Sequence, residues 1–262
     1  MIMKYTSFFS GIAMSLILLS SCKKDEEAAT LPTTNPTPEV PTAYGQMSLR
    51  VDHKFGNQAY TIGTFYTNAV GEQISFNKTK YYINDVTLMT ATGAPYEIAG
   101  TCHLVDLADP ASLTLNLENV PTGTYTSARF TIGLVDENLP TDMVAMSTAD
   151  QMYWADSQEF IFIRVEGYSP VAQNGQVKYI LGGDEAPNVA LNEPTVAFTE
   201  QLTVTEEGTP ELAINLDMAR IFNGPAGNVS IASTPLVQAP SAIAVMVADN
   251  FASGFSFGSI VE

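Results

Sequence analysis

Phe160-Ile161-Phe162-Ile163-Arg164-Val165-Glu166-Gly167 is the stretch whose reading decides the fold. Its first four residues are aromatic or β-branched and apolar without a break, as in a strand covered on both faces. Arg164 and Glu166 then stand two residues apart, which on a strand means one face, so they can pair with each other or with a neighbouring strand. A structural ion pair is the simpler reading of them than a catalytic acid with an electrostatic partner. Outward from this segment, apolar runs of similar length predict strands at 47–51, 80–89, 102–106, 113–117, 128–134, 177–181, 196–204, 211–216 and 242–248, punctuated by Gly, Pro, Asn and Asp. In Val120-Pro121-Thr122-Gly123-Thr124-Tyr125 the turn chemistry is explicit: Pro presets φ and Gly supplies a positive one. Only 217–222, ahead of Asn223-Gly224, and 142–151 read as short helices. No internal repeat stands out. The expectation is an all-β chain, a β-sandwich of the Ig-like, Greek-key type with one or two short helices.

The N-terminus reads differently. Lys4 precedes an apolar run over 8–19, and Leu19-Ser20-Ser21-Cys22 follows, which is the order of a signal peptide. Leu-Ser-Ser-Cys resembles the lipobox of bacterial lipoproteins, in which the cysteine becomes the diacylated first residue of the mature protein, so Cys22 is the expected lipidation site. Two or more acyl chains make a stable membrane anchor. Lys23-Lys24-Asp25-Glu26-Glu27 resembles the surface-export signal of Bacteroidetes lipoproteins, and the Thr-, Pro- and Ala-rich stretch after it reads as a semi-extended tether. The expected organisation is a signal peptide over 1–21, a lipidated tether over 22–45 and one domain over 46–262. The expected location is the outer membrane, lipid-anchored, on the cell surface.

Composition limits the partners. Of 11 basic residues only Lys4 is lost with the signal peptide, so ten face 28 acidic ones in the mature chain, a formal charge of −18. So acidic a surface repels nucleic acid and anionic headgroups and suits cations or a basic partner. With Cys22 acylated, Cys102 has no intrachain partner and is either a small buried hydrophobe or a reactive or metal-binding thiol. Gly254-Phe255-Ser256-Phe257-Gly258 matches the nucleophile-elbow pattern, yet no room for a helix follows it and no His or Asp stands downstream. No nucleophile with its base and no cofactor loop is evident, so the chain is read as non-enzymatic.

The two histidines, His53 and His103, are each either a partly buried polar residue or one imidazole of a copper or zinc site. Trp154, the only tryptophan, reads as a core anchor.

Taken in order, Lys80-Tyr81-Tyr82-Ile83-Asn84-Asp85-Val86-Thr87-Leu88, His103-Leu104-Val105-Asp106, Phe130-Thr131-Ile132-Gly133, Met152-Tyr153-Trp154, the segment from Phe160 to Gly167, Leu181-Gly182-Gly183, Asn188 and Ala248-Asp249-Asn250-Phe251 resemble the MbnP-like family. The resemblance implies a secreted β-sandwich. Its namesake branch binds copper and is encoded beside a di-haem enzyme of the peroxidase type, which oxidises a tryptophan to kynurenine that helps histidines hold the metal. Carried over, His53 and His103 match family histidines and Trp154 the first Trp of a Met-x-Trp-x-Trp segment. The chain departs from the pattern at Ile180, where the family commonly carries histidine, at Asp156, which replaces the second Trp, and at Ser259 and Ile260, near which family histidines are often found. Two functions follow. One is a non-catalytic module that recognises a membrane-associated or extracellular partner, such as an outer-membrane protein complex. The alternative is a copper-binding protein using His53 and His103, with Trp154 a possible target of a di-haem peroxidase-type partner.

Overall fold

The computed structural model describes residues 43–134 and 139–262. The signal peptide, Cys22 and the tether as far as residue 42 lie outside the described residues. In chain order the principal strands are β1 (Tyr44–Phe55), β2 (Gln73–Thr90), β3 (Cys102–Asp106), β4 (Thr114–Pro121), β5 (Gly123–Ile132), β6 (Tyr153–Trp154), β7 (Glu159–Tyr168), β8 (Gln176–Gly182), β9 (Thr195–Val204), β10 (Glu211–Asp217) and β11 (Phe255–Val261). The helices are α1 (Met143–Ala149) and α2 (Ala242–Ala252), and a 3-10 turn occupies Pro110–Leu113.

Two sheets result. In the smaller, the order is β11-β10-β1-β4, with β1 parallel to β10 and antiparallel to β4. The larger is organised around β2, whose 18 residues pair with β7 over its first half, with β5 over its second and with β3 across its middle. β8 extends the sheet beyond β7, and β9 beyond β5. The ladder passes from β7 to β5 between Tyr81 and Ile83, and a register shift follows near Asp85, which adopts a φ of 49°. Such a bulge bends a strand and increases its twist.

The sheets face each other across one apolar cluster, to which Val51 and Phe55 contribute from the smaller sheet and Phe76, Tyr81 and Ile163 from the larger. Phe130 of β5 meets Phe255 of β11 edge to face, with ring centres 5.0 Å apart. The chain is thus an all-β sandwich with two short helices. Tyr125, fully buried, donates its hydroxyl to the Pro121 carbonyl at 2.6 Å, four residues upstream. The same device holds the corner of many Ig-like sandwiches.

The larger sheet is covered on its outer face too. Tyr82 points away from its neighbour Tyr81, and its hydroxyl meets Ser147 Oγ of α1 at 2.8 Å. The predicted helices at 142–151 and 217–222 are found as α1 and as the 3-10 turn Met218–Ile221, capped by Asp217.

One predicted strand is a helix. Residues 242–248 form the first part of α2, whose Ser241 Oγ accepts from Ala244 N at 3.2 Å. The run Ala242-Ile243-Ala244-Val245-Met246-Val247-Ala248 is apolar throughout, so a strand and a buried helix read alike over seven residues. What separates them is the spacing of Ala244, Val247, Ala248 and Phe251, all buried, which is that of one helical face. A strand absent from the sequence reading is β11, which carries the Gly-x-Ser-x-Gly pattern. Ser256 lies in its ladder opposite Asn215, so no strand-to-helix elbow forms there.

Candidate functional site

His53 stands on β1 between Val51 and Phe55, the alternation that aims it between the sheets. Its Nε2 lies 2.9 Å from the hydroxyl of Tyr81, a fully buried residue of β2. Burial lowers the His53 pKa from 6.5 to about 4, and a hydrogen bond to the Val51 backbone opposes this only in part. The ring is therefore neutral at physiological pH. Burial likewise pushes the Tyr81 phenol well above its ordinary value, so it remains a phenol. With the ring proton on Nδ1, Nε2 accepts and Tyr81 donates. On its solvent side His53 borders an open cavity of about 630 Å³, shared with Asp52, Tyr60, Leu113 and Asn215.

His103, on β3, pairs with Ile83, as Val105 pairs with Tyr81, so it shares the inner face. Its Nε2 is 2.7 Å from the Ser112 carbonyl, in the 3-10 turn beside Leu113. His103 itself does not line the cavity at His53. The fold thus brings the two histidines to the same side of the larger sheet and gives each Nε2 a different protein partner.

Trp154 is elsewhere. The short strand β6 folds back on β7 through a four-residue loop, with Trp154 directly opposite Glu159. The indole lies over Gly182, where a Cβ would come within 2.8 Å of Trp154 Cζ3 and 2.4 Å of the Phe160 carbonyl oxygen. Leu181, next to Gly182, pairs with Ile163, and Ile163 with Tyr81. Paired residues share a face and consecutive ones alternate, so Gly182, and Trp154 upon it, lie on the face opposite Tyr81 and His53. Ile180 shares that outer face with Gly182. The position at which the resembling family commonly carries a histidine therefore belongs to the Trp154 side of the sheet, and isoleucine fills it here with 7% exposure. Asp156 sits exposed at the tip of the hairpin.

The remaining sequence features have structural partners. Arg164 Nε meets Glu166 Oε1 at 2.6 Å, the ion pair expected within one strand face. Cys102 lies half-buried with its Sγ 3.8 Å from Met143 Sδ, and burial pushes its thiol up to about 11. It stays protonated and unreactive at neutral pH. Tyr81 and Ser112, which occupy the histidine nitrogens, were not singled out in the sequence; the Tyr81-x-Ile83 and His103-x-Val105 alternation is the signal that would have set Tyr81 on the histidine face.

Copper, which the family implies, does not find a cage in these residues. Among the described residues no group of three or more His, Cys, Asp and Glu is placed to hold a metal ion. Trp154 and the histidines are separated by the thickness of a sheet.

Comparison with known proteins agrees with the architecture. Among solved structures, MbnP from Methylosinus trichosporium superposes with a TM-score of 0.50 over 72% of this chain and 80% of that chain, at 14% identity, which is a likeness of fold. No curated protein matches the chain. The model of the MbnP family matches residues 44–243, a span that holds His53, His103 and Trp154 together with both sheets up to α2, and the chain belongs to that family.

Proposed function

We propose that this MbnP-family chain is a lipoprotein, anchored in the outer membrane through Cys22 and displayed at the cell surface, whose domain is a non-catalytic module that recognises a membrane-associated or extracellular protein. The observation that carries this reading is the separation of Trp154 from His53 and His103 by the larger sheet, with Ile180 in place of the family histidine on the Trp154 side. The side chains that would make a metal cage are distributed between two faces, and the histidines serve the packing between the sheets. A strongly acidic surface adds long-range attraction for a basic partner.

The test is affinity capture from outer membranes with the acylated full-length protein. A reproducible stoichiometric partner is the expected result; recovery of the protein alone counts against the reading. Labelling with a membrane-impermeant reagent checks display, since protection of the domain in intact cells would place it on the inner side.

A second reading has one observation in its favour. Burial holds His53 neutral, the form in which imidazole binds a metal. On that reading His53 and His103 bind copper once Tyr81 and Ser112 release them, and a di-haem peroxidase-type protein is the partner. Tight copper binding that is lost when His53→Ala and His103→Ala are combined would establish it. Copper content and intact mass of protein from its native host would show whether the metal, or an oxidised Trp154, is present.

A further inference from the structure

Around Trp154 the fold gathers an aromatic ring and several carboxylates into two adjoining clefts. Of the cations among the described residues, Arg50, Lys78, Lys80, Arg129 and Arg164 are each paired with a carboxylate, whereas Lys54, Lys178 and Arg220 are in no ion pair. On either side of the β6–β7 hairpin, two adjoining clefts of about 390 Å³ each share Ser157 and Glu159. The indole of Trp154 and Pro240 form the apolar wall of one, beside Asp156; Asp184 and Glu185 border the other. Among the described residues the side chains of Asp156, Glu159, Asp184 and Glu185 have no hydrogen-bond or ion-pair partner. Among the described residues no lysine or arginine lines either cleft.

The pairing register explains how these groups come together. Trp154 and Glu159 are direct cross-strand partners, so their side chains stand side by side on one face. Asp184 and Glu185 leave β8 immediately after Gly182 and Gly183, the glycines against which Trp154 and Pro240 pack. An aromatic surface flanked by unpaired carboxylates in a concave site is the arrangement that attracts an organic cation. The ring quadrupole draws the cation to its face while the carboxylates supply charge and acceptors. A guanidinium uses both, since it stacks on the ring and forks onto a carboxylate.

We infer that this double cleft is the recognition site for arginine or lysine side chains of a basic polypeptide segment. The inference rests on the partner-binding reading above and gives that partner its chemistry: at least one exposed cationic side chain inserted beside Trp154, with a second reaching Asp184 and Glu185. The acidity of the chain as a whole steers the segment in, and the cleft holds it.

Because Trp154 is the only tryptophan, its fluorescence reports the site directly. Titration of the full-length protein with an oligo-arginine peptide is expected to change Trp154 emission saturably, and calorimetry to give the same midpoint. Glu159→Gln combined with Asp156→Asn should weaken binding by about tenfold or more, as loss of a charge-assisted contact does. Glu206→Gln combined with Glu207→Gln, on the β9–β10 turn outside both clefts, should leave it within about twofold. Trp154→Phe, followed by calorimetry and with its fold checked by circular dichroism, should weaken binding while leaving the carboxylates in place. Equal losses from both double variants, or no saturable emission change, would overturn the inference. A free cation such as arginine methyl ester, if it binds as tightly as the peptide, also overturns it, because the second subsite then contributes nothing.

Capture from outer membranes separates this inference from the reading beneath it. If the wild type and the cleft variants recover the same partner equally, the partner-binding reading stands and the cleft assignment falls. If the wild type recovers none yet binds the peptide tightly through the cleft, the assignment survives and the proposed physiological role falls.

Discussion

At His53 the ring nitrogen is satisfied from within, by a tyrosine hydroxyl on the opposing sheet, and the imidazole is kept neutral by the apolar surroundings that hold it. At Trp154 the indole is seated on a glycine, one part of it still bordering an open cleft, and the carboxylates around it are left without partners. Both places combine an aromatic or imidazole ring with polar neighbours, and both were singled out from the sequence. They differ in where the free energy goes. The His53 arrangement is spent between the sheets, on the fold; that at Trp154 remains available to something outside it.

Perturbations of the two places should therefore differ in kind. Gly182→Ala gives the largest expected effect, because a methyl group there meets both the Phe160 carbonyl and the indole. A loss of about 3 kcal/mol in urea unfolding is expected, as for overpacking at a closed contact, together with a red shift of Trp154 emission as the ring is displaced. A loss below about 0.5 kcal/mol would mean that the ring moves aside freely and that Gly182 does not seat it.

Acid should act on the other place. In the unfolded chain His53 takes a proton below about pH 6.5, whereas in the fold it stays neutral down to about pH 4. The unfolded state therefore binds the extra proton in that interval, and stability falls as the pH falls through it, by roughly 2–3 kcal/mol, and levels off below. Urea unfolding at pH 7.5 and pH 4.5 measures the loss, and His53→Gln should remove most of it. A wild-type curve parallel to that of the variant would show that the ring titrates as it does in water.

Tyr81→Phe is expected to cost about 1 kcal/mol, the net value of one hydrogen bond, with a fold otherwise intact by circular dichroism. Smallest of all is Glu159→Gln, whose side chain has no partner to lose. Its stability should change by less than about 0.5 kcal/mol, even though the same residue is assigned a large part in peptide binding. A substantial destabilisation here would make the cleft part of the scaffold and erase the contrast between the two places.

How much of this was legible in the chain depended on the range of the signal. Phe160–Glu166 read as a strand covered on both faces, with Arg164 and Glu166 on one side, because the period of two is local. The helical turn over 217–222 was marked by the Asn223-Gly224 stop that follows it. Residues 242–248 had no such mark, since uniform apolarity erases the period and only Phe251, outside the run, shows that the face is helical. The two histidines were visible as residues, whereas their partners depend on cross-strand register: Tyr81 lies 28 residues from His53, and Ser112 belongs to a turn that links the sheets. The distance between Trp154 and the histidines could not be read at all, because it follows from counting faces across β2, β7 and β8. The same holds for Glu159, whose place beside Trp154 is set by the four-residue loop between them.

The strand through which the chain enters the domain is not at an edge. β1 starts at Tyr44 and lies between β10 and β4, with seven residue pairs to the former in parallel and six to the latter antiparallel. A pull delivered from the residues before Tyr44 runs along β1 and is shared by both ladders at once, as sliding, rather than opening one pair at a time as peeling of an outer strand would. A domain held this way can stay folded while its N-terminal side is under tension. The arrangement suits a module that stays fixed at one end while another molecule tugs at the other.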